Sequence, residues 1–85
     1  MPYIKQVDRN KLNVELDKIS EQINTGGELN YVFTFLCKRF VESKGKNYSN
    51  YSTCVSSLEC AKIEFYRRFI APYEDIKIKE NGDVD

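Results

Sequence analysis

Apolar residues recur along most of this chain at the three- and four-residue spacing of helices. Leu12, Leu16, Ile19 and Ile23 stand at steps of 4, 3 and 4, which lines one face of a helix. Leu29, Val32, Phe33, Leu36 and Phe40 form a second stripe. A third runs through Tyr51, Cys54, Val55, Leu58, Ala61, Phe65 and Phe69. The pattern predicts an all-α fold, a small three-helix bundle with helices over about 8–24, 26–43 and 50–71. Residues 73–85 follow as a polar C-terminal tail or a short extra helix. The whole of 1–85 is read as one domain.

Local signals set the ends. The first helix has two candidate starts. Asp8 suits one, with Val7 and Leu12 as a hydrophobic staple, and Asn13 suits the other. Thr25-Gly26-Gly27-Glu28 is a capping box, in which the Thr25 hydroxyl and the Glu28 carboxylate satisfy each other's backbone N–H groups. Gly45 suits the residue just past the second helix. The third helix is expected to start between Ser49 and Ser52. Pro72 cannot continue a helix without a kink, but it fits the first turn of a new one.

The second helix carries a second apolar face. At about 100° per residue, Tyr31 and Phe35 point away from the main stripe and lie one turn apart, close enough to stack. One reading covers them with a bent neighbour or the N-terminal Pro2-Tyr3-Ile4. The other makes them a subunit interface, because aromatic residues are enriched in interface cores.

Charge and composition remove several functions. The sequence has 85 residues with 13 basic and 13 acidic side chains, for a formal net charge of zero. Binding duplex DNA or an anionic membrane calls for a basic excess that this chain lacks. A domain this small buries a thin core, and zero net charge opposes self-association weakly, so an oligomer is expected. The segment MPYIKQVDRN has no apolar run of the signal-peptide type, and no stretch nears the roughly 20 apolar residues of a membrane span. Three cysteines without a CxxC pair fit a reduced, cytoplasmic setting.

The chain has no histidine, which removes His-metal sites and the Ser-His and Cys-His nucleophile pairs. No phosphate-binding glycine motif occurs. The reading is therefore of a protein with no catalytic residues, no metal and no cofactor.

The third helix holds the remaining chemistry. Lys62 lies within the seam of Leu58, Phe65 and Phe69. In one reading its stem packs on the seam while its ammonium pairs with Glu59. In the other, Lys62, Arg67 and Arg68 with Tyr66 and Tyr73 form a site for an anionic, nucleotide-type ligand. Arg67 and Arg68 leave the helix about 100° apart, so if both contact ligand they come from different subunits or act at different sites.

The stretches GELNYVFTFLCKRF, LECAKIEFYRR and APYEDIKIKENGDVD resemble a family of small proteins encoded widely by bacteriophages and prophages. The family shares GELNY, ExAKxEFYRR and APYEDxKIxENGDV motifs, and the likeness covers nearly the whole chain. Asp85 departs from the usual aromatic, and Asn13-Val14 from the usual Asp-Pro, a pattern that favours the later of the two helix starts. The resemblance implies a phage context in the host cytoplasm. Within that context it is similar to small helical proteins that oligomerise and sequester a host immune nucleotide signal. The alternative is a protein-interaction module that inhibits or redirects a host or phage enzyme through Tyr31, Phe35 and the tail; an enzyme on phosphate or nucleotide substrates ranks third.

Overall fold

The structure, a computed structural model, describes residues 3–85. Among them every regular element is helical: α1 (Gln6–Ser20), α2 (Gly26–Lys44), α3 (Tyr48–Phe65), a π-helical turn (Tyr66–Ile70) and α4 (Ala71–Asn81). The chain divides into two compact units, residues 1–46 with α1 and α2, and residues 47–85 with the rest.

In the first unit, α1 starts at Gln6, ahead of both sequence-based candidates. Lys5 is the N-cap in an extended conformation, and its carbonyl accepts from the N–H groups of Asp8 and Arg9 at 2.9 and 3.0 Å. The Arg9 guanidinium donates to the Ile4 carbonyl at 2.8 Å, tying the entering segment to the first turn. Asp8 sits in that first turn, where its charge favours the helix dipole, and pairs with Lys11 at 3.2 Å. The start at Asn13 is overturned, because Val14, unlike a proline, keeps the N–H that lets the helix pass through.

The other end comes earlier than 24. The Ser20 hydroxyl donates to the Asp17 carbonyl at 2.8 Å, competing with the backbone ladder. The N–H groups of Gln22 and Ile23 then close tight three-residue turns onto Ile19 and Ser20. Ile23 thus lies beyond the helix.

The capping box is present with one change. The Glu28 N–H donates to Thr25 Oγ1 at 3.1 Å, but the Glu28 carboxylate accepts from the N–H of Asn24, at 3.0 Å, and from the Thr25 hydroxyl. Shifted back by one residue, it still satisfies a donor ahead of the helix. Gly45 ends α2 as expected. Its φ of 127° is open to glycine, and its N–H closes onto the Val41 carbonyl at 2.8 Å.

In the second unit α3 begins at Tyr48, one residue before the expected range. Asn47 is its cap, with Oδ1 accepting from the Asn50 N–H at 2.9 Å. The helical path then runs to Asn81 without a break, past the expected end at 71. Pro72 has no N–H, and in a plain α-helix its ring would press on the carbonyl four residues back. The π turn widens the backbone there, and the Ala71 N–H reaches back five residues to the Tyr66 carbonyl. Of the two alternatives for the C-terminal segment, the structure takes the extra helix. Gly82, at φ 89°, ends it.

Burial is sparse in both units. Val41, 4% exposed, is the one buried apolar residue among those described. The stripes of Leu12 and Leu16 on α1, and of Leu29, Phe33 and Leu36 on α2, remain open to solvent. Among the described residues no Cα of α1 lies within 8 Å of one in α2, which is wider than a packed pair of helices allows. The two elements instead border an open cleft of about 360 Å³ at their turn, lined by Ile19, Ile23, Gly27, Tyr31 and Val32 among others.

Candidate functional site

Two groups of side chains carry the candidate chemistry, one in each unit. On α2, the Tyr31 and Phe35 rings lie 6.1 Å apart at 36°, the one-turn stack that their spacing predicts. The Arg39 guanidinium sits over the Phe35 ring at 5.0 Å, extending the patch by a cation–π contact. Tyr31 is 66% exposed and Phe35 is exposed as well. Covering by the N-terminal segment is not seen in what is described, since Tyr3 is itself exposed; Pro2 lies outside the described residues.

In the second unit each candidate cation has an acidic neighbour on its own helix. Lys62 Nζ lies 3.4 Å from Glu59 Oε1, as the i−3 spacing predicts. Arg67 Nη2 is 3.0 Å from Glu64 Oε2, and Arg68 Nη1 is 3.6 Å from Glu64 Oε1. The two guanidiniums therefore converge on one carboxylate, one on each oxygen. This corrects the expectation that one helix cannot aim both at a single group. Their Cα–Cβ bonds diverge, but each arginine side chain is long enough to fold back along the helix to Glu64, three and four residues earlier. The Glu64 side chain is 23% exposed, against 69% and 54% for the arginines, so it sits beneath them.

The Arg67 arm of that clamp lowers the pKa of Glu64. The hydrogen bond from Arg67 is the largest cause holding its carboxyl at about 2, below the ordinary 4.5. A depressed carboxylate stabilises the fold above the ordinary value, and the benefit fades as pH falls through 2. We expect the Glu64 carboxylate carbon, followed by NMR, to titrate near pH 2, and Arg67→Ala to move its midpoint upward. A wild-type midpoint near 4.5 would show that the clamp does not form in solution.

Tyr66 and Tyr73 part company. The Tyr66 hydroxyl donates a short hydrogen bond to the Glu74 carboxylate, bridging the π turn from its first residue to α4. That bond, with the charge of Glu74 behind it, pushes the phenol's pKa up. Tyr73 instead lies under the Lys77 ammonium, 5.6 Å from its ring centre. Lys62 and Tyr73 thus have partners of their own, and the remaining side chains make two separate contacts, Arg67 and Arg68 on Glu64 and Tyr66 on Glu74. The candidate site read from the sequence left out the two glutamates, although both lie in the shared motifs and Glu64 stands at i−3 and i−4 from the arginines. Glu74 required knowing that the helix crosses Pro72.

Among the described residues no cluster of three or more His, Cys, Asp or Glu side chains is placed to hold a metal ion, and no helix is long and apolar enough to cross a membrane.

A family model described as "Domain of unknown function (DUF6899)" matches residues 1–84, almost the full sequence. The chain belongs to this family. No curated protein and no solved structure matches it. The DUF6899 match takes in both units, so the exposed aromatic pair of α2 and the arginine clamp at the π turn lie within one family domain.

Proposed function

We propose that this DUF6899 protein is a non-enzymatic phage accessory protein that works by association, as an interaction module acting in the host cytoplasm. The exposed second face of α2 carries this reading. Tyr31 and Phe35 stand stacked on the side of the helix away from its main stripe, with Arg39 held over them. Aromatic residues and arginine are the types that dominate interface cores, and a patch pre-stacked on a helix loses little side-chain freedom on binding. The face suits a further copy of the chain, or a helical surface of a host or phage enzyme that the protein inhibits or redirects.

One observation favours a second reading, an oligomeric binder that sequesters an anionic nucleotide-type signal. Arg67 and Arg68 converge on one carboxylate beside Tyr66, a geometry that also suits a phosphate, with an aromatic ring at hand for a base. It ranks second because both arginines are already in ion pairs and the group lies on the outer surface of a helix.

Native mass spectrometry of protein purified from phage-infected cells tests both. The association reading expects a mass above that of one 10.0 kDa chain, made up by protein. A retained small molecule of nucleotide mass would move the second reading to first place. A bare monomer would end both.

A further inference from the structure

From Tyr51 to Ile76 the outward residues of the second unit's helix recur at steps of 4, 3, 4, 3, 4, 4 and 3, through Val55, Leu58, Lys62, Phe65, Phe69 and Tyr73. Alternating steps of 4 and 3 make the seam of a coiled coil. Two successive steps of 4 would throw an α-helical seam off its face. Here they straddle the π turn, Tyr66–Ile70, which winds an extra residue into one turn and returns Tyr73 and Ile76 to the same side. The seam is exposed along its length, with Phe65, Phe69 and Tyr73 at 57%, 61% and 59%.

We infer that this seam is the docking face for a second copy of the same helix, running antiparallel. The inference names the partner of a second apolar face and rests on the association reading.

Three observations select the occupant. The first is length. At about 1.5 Å per residue the seam spans close to 37 Å, while α1, with 15 residues, and α2, with 19, reach only about 22 and 28 Å. Only a copy of the 48–81 helix matches it end to end. The second is area. The four aromatics, each more than half exposed, offer roughly 460 Å² per copy at about 200 Å² each, and Val55, Leu58, Ile76 and the Lys62 stem add to it. The rings of two copies alone thus offer about 900 Å², and the aliphatic side chains carry the face toward the size of a specific interface.

The third is Lys62, the one charged residue in the seam. In a parallel, in-register pair it would face its own copy, charge against charge. In an antiparallel pair centred between Lys62 and Phe65, each Lys62 meets the other copy's Phe65 instead. Its stem packs on the ring and its ammonium exchanges the exposed Glu59 pair for the ring face, a cation–π contact. The same register sets Leu58 against Phe69, Val55 against Tyr73 and Tyr51 against Ile76, so nearly every large aromatic meets a smaller aliphatic. A single lysine at a core position is a known way to fix register and strand number.

The test is disulfide trapping in a background with Cys37, Cys54 and Cys60 changed to serine. Leu58→Cys and Phe69→Cys proteins are made separately, mixed and oxidised. The antiparallel register predicts mixed 58–69 disulfides and little of either homodimer, because a bridge needs Cα atoms about 4.4–6.8 Å apart. Phe65→Glu, checked for helicity by circular dichroism, is expected to halve the mass seen by light scattering. Homodimers of Leu58→Cys alone would mean a parallel pair and overturn the inference. An oligomer that gives no 58–69 bridge and keeps its mass with Phe65→Glu would also overturn it, while leaving association through Tyr31 and Phe35 standing. A wild-type chain that is monomeric at high concentration would remove self-association through both faces.

Discussion

Replacing Tyr31 and Phe35 together with lysine will halve the mass of the assembly while leaving the helices intact. Both side chains point away from the main stripe of α2 and are exposed, Tyr31 at the edge of an already open cleft, so their loss opens no new cavity and the helix keeps its cap and ladder. Lysine is also as good a helix former as most, so circular dichroism should not change. At an interface the same change removes two stacked rings and the seat of Arg39, and it places four like charges across a twofold contact. A central aromatic is worth about 2 kcal/mol or more, so two together are worth roughly 4 kcal/mol, near a thousandfold in the dissociation constant. Light scattering across a concentration series reads this directly. Combined with Phe65→Glu, which addresses the seam of the second unit, the double variant is expected to be monomeric. An unchanged mass in the Tyr31→Lys, Phe35→Lys protein would show that the pair is not a self-contact. Its role would then lie with a different protein.

The second large effect belongs to the arginine clamp. If an anionic nucleotide is the ligand, Arg67→Ala and Arg68→Ala should each weaken binding roughly ten- to hundredfold, since one charge-assisted contact is worth about 1.5–3 kcal/mol. The two variants should not be equal. Arg67 lies closer to Glu64, 3.0 Å against 3.6 Å, and so must give up more to turn toward a ligand. Arg68→Ala is therefore expected to cost the larger share of affinity, and Arg67→Ala the larger shift in Glu64 acidity. Calorimetric titration with cyclic dinucleotides and ADP-ribose-type signals measures the first effect. Recovery of the ligand chemically unchanged separates binding from turnover. Wild-type affinity weaker than millimolar for every nucleotide would remove this reading and leave the clamp as a helix-stabilising ion pair.

Most of what the sequence made legible is local. The helical class, the Thr25 cap, the Gly45 stop, the Tyr31–Phe35 stack and the Lys62–Glu59 pair all join residues no more than four positions apart. At that range the geometry of a helix is the same in any protein, so spacing alone predicts the neighbour. The boundaries were less legible because close alternatives compete within a single turn. Asp8 and Asn13 were both chemically able to cap α1, yet it opens at Lys5, whose side chain makes no cap. The Lys5 carbonyl accepts the first-turn N–H groups, and the Arg9 guanidinium fastens the chain ahead of it through the Ile4 carbonyl.

The tertiary structure decided what depends on backbone path and side-chain reach. The sequence marks Pro72 as an obstacle but is silent on whether the chain stops, kinks or widens; a π turn resolves it, and α4 continues to Asn81. Only once that path is known does Glu74 come within reach of the Tyr66 hydroxyl, or the seam from Tyr51 to Ile76 appear as one face. The convergence of Arg67 and Arg68 on Glu64 was hidden for a related reason. A helical wheel gives the direction in which a side chain leaves the backbone, whereas a long flexible side chain ends where the nearest opposite charge holds it. Apolar periodicity, finally, marks which faces seek cover, but not whether the chain supplies it: Leu12, Leu29, Tyr31 and Phe65 remain exposed because burial depends on what another surface brings.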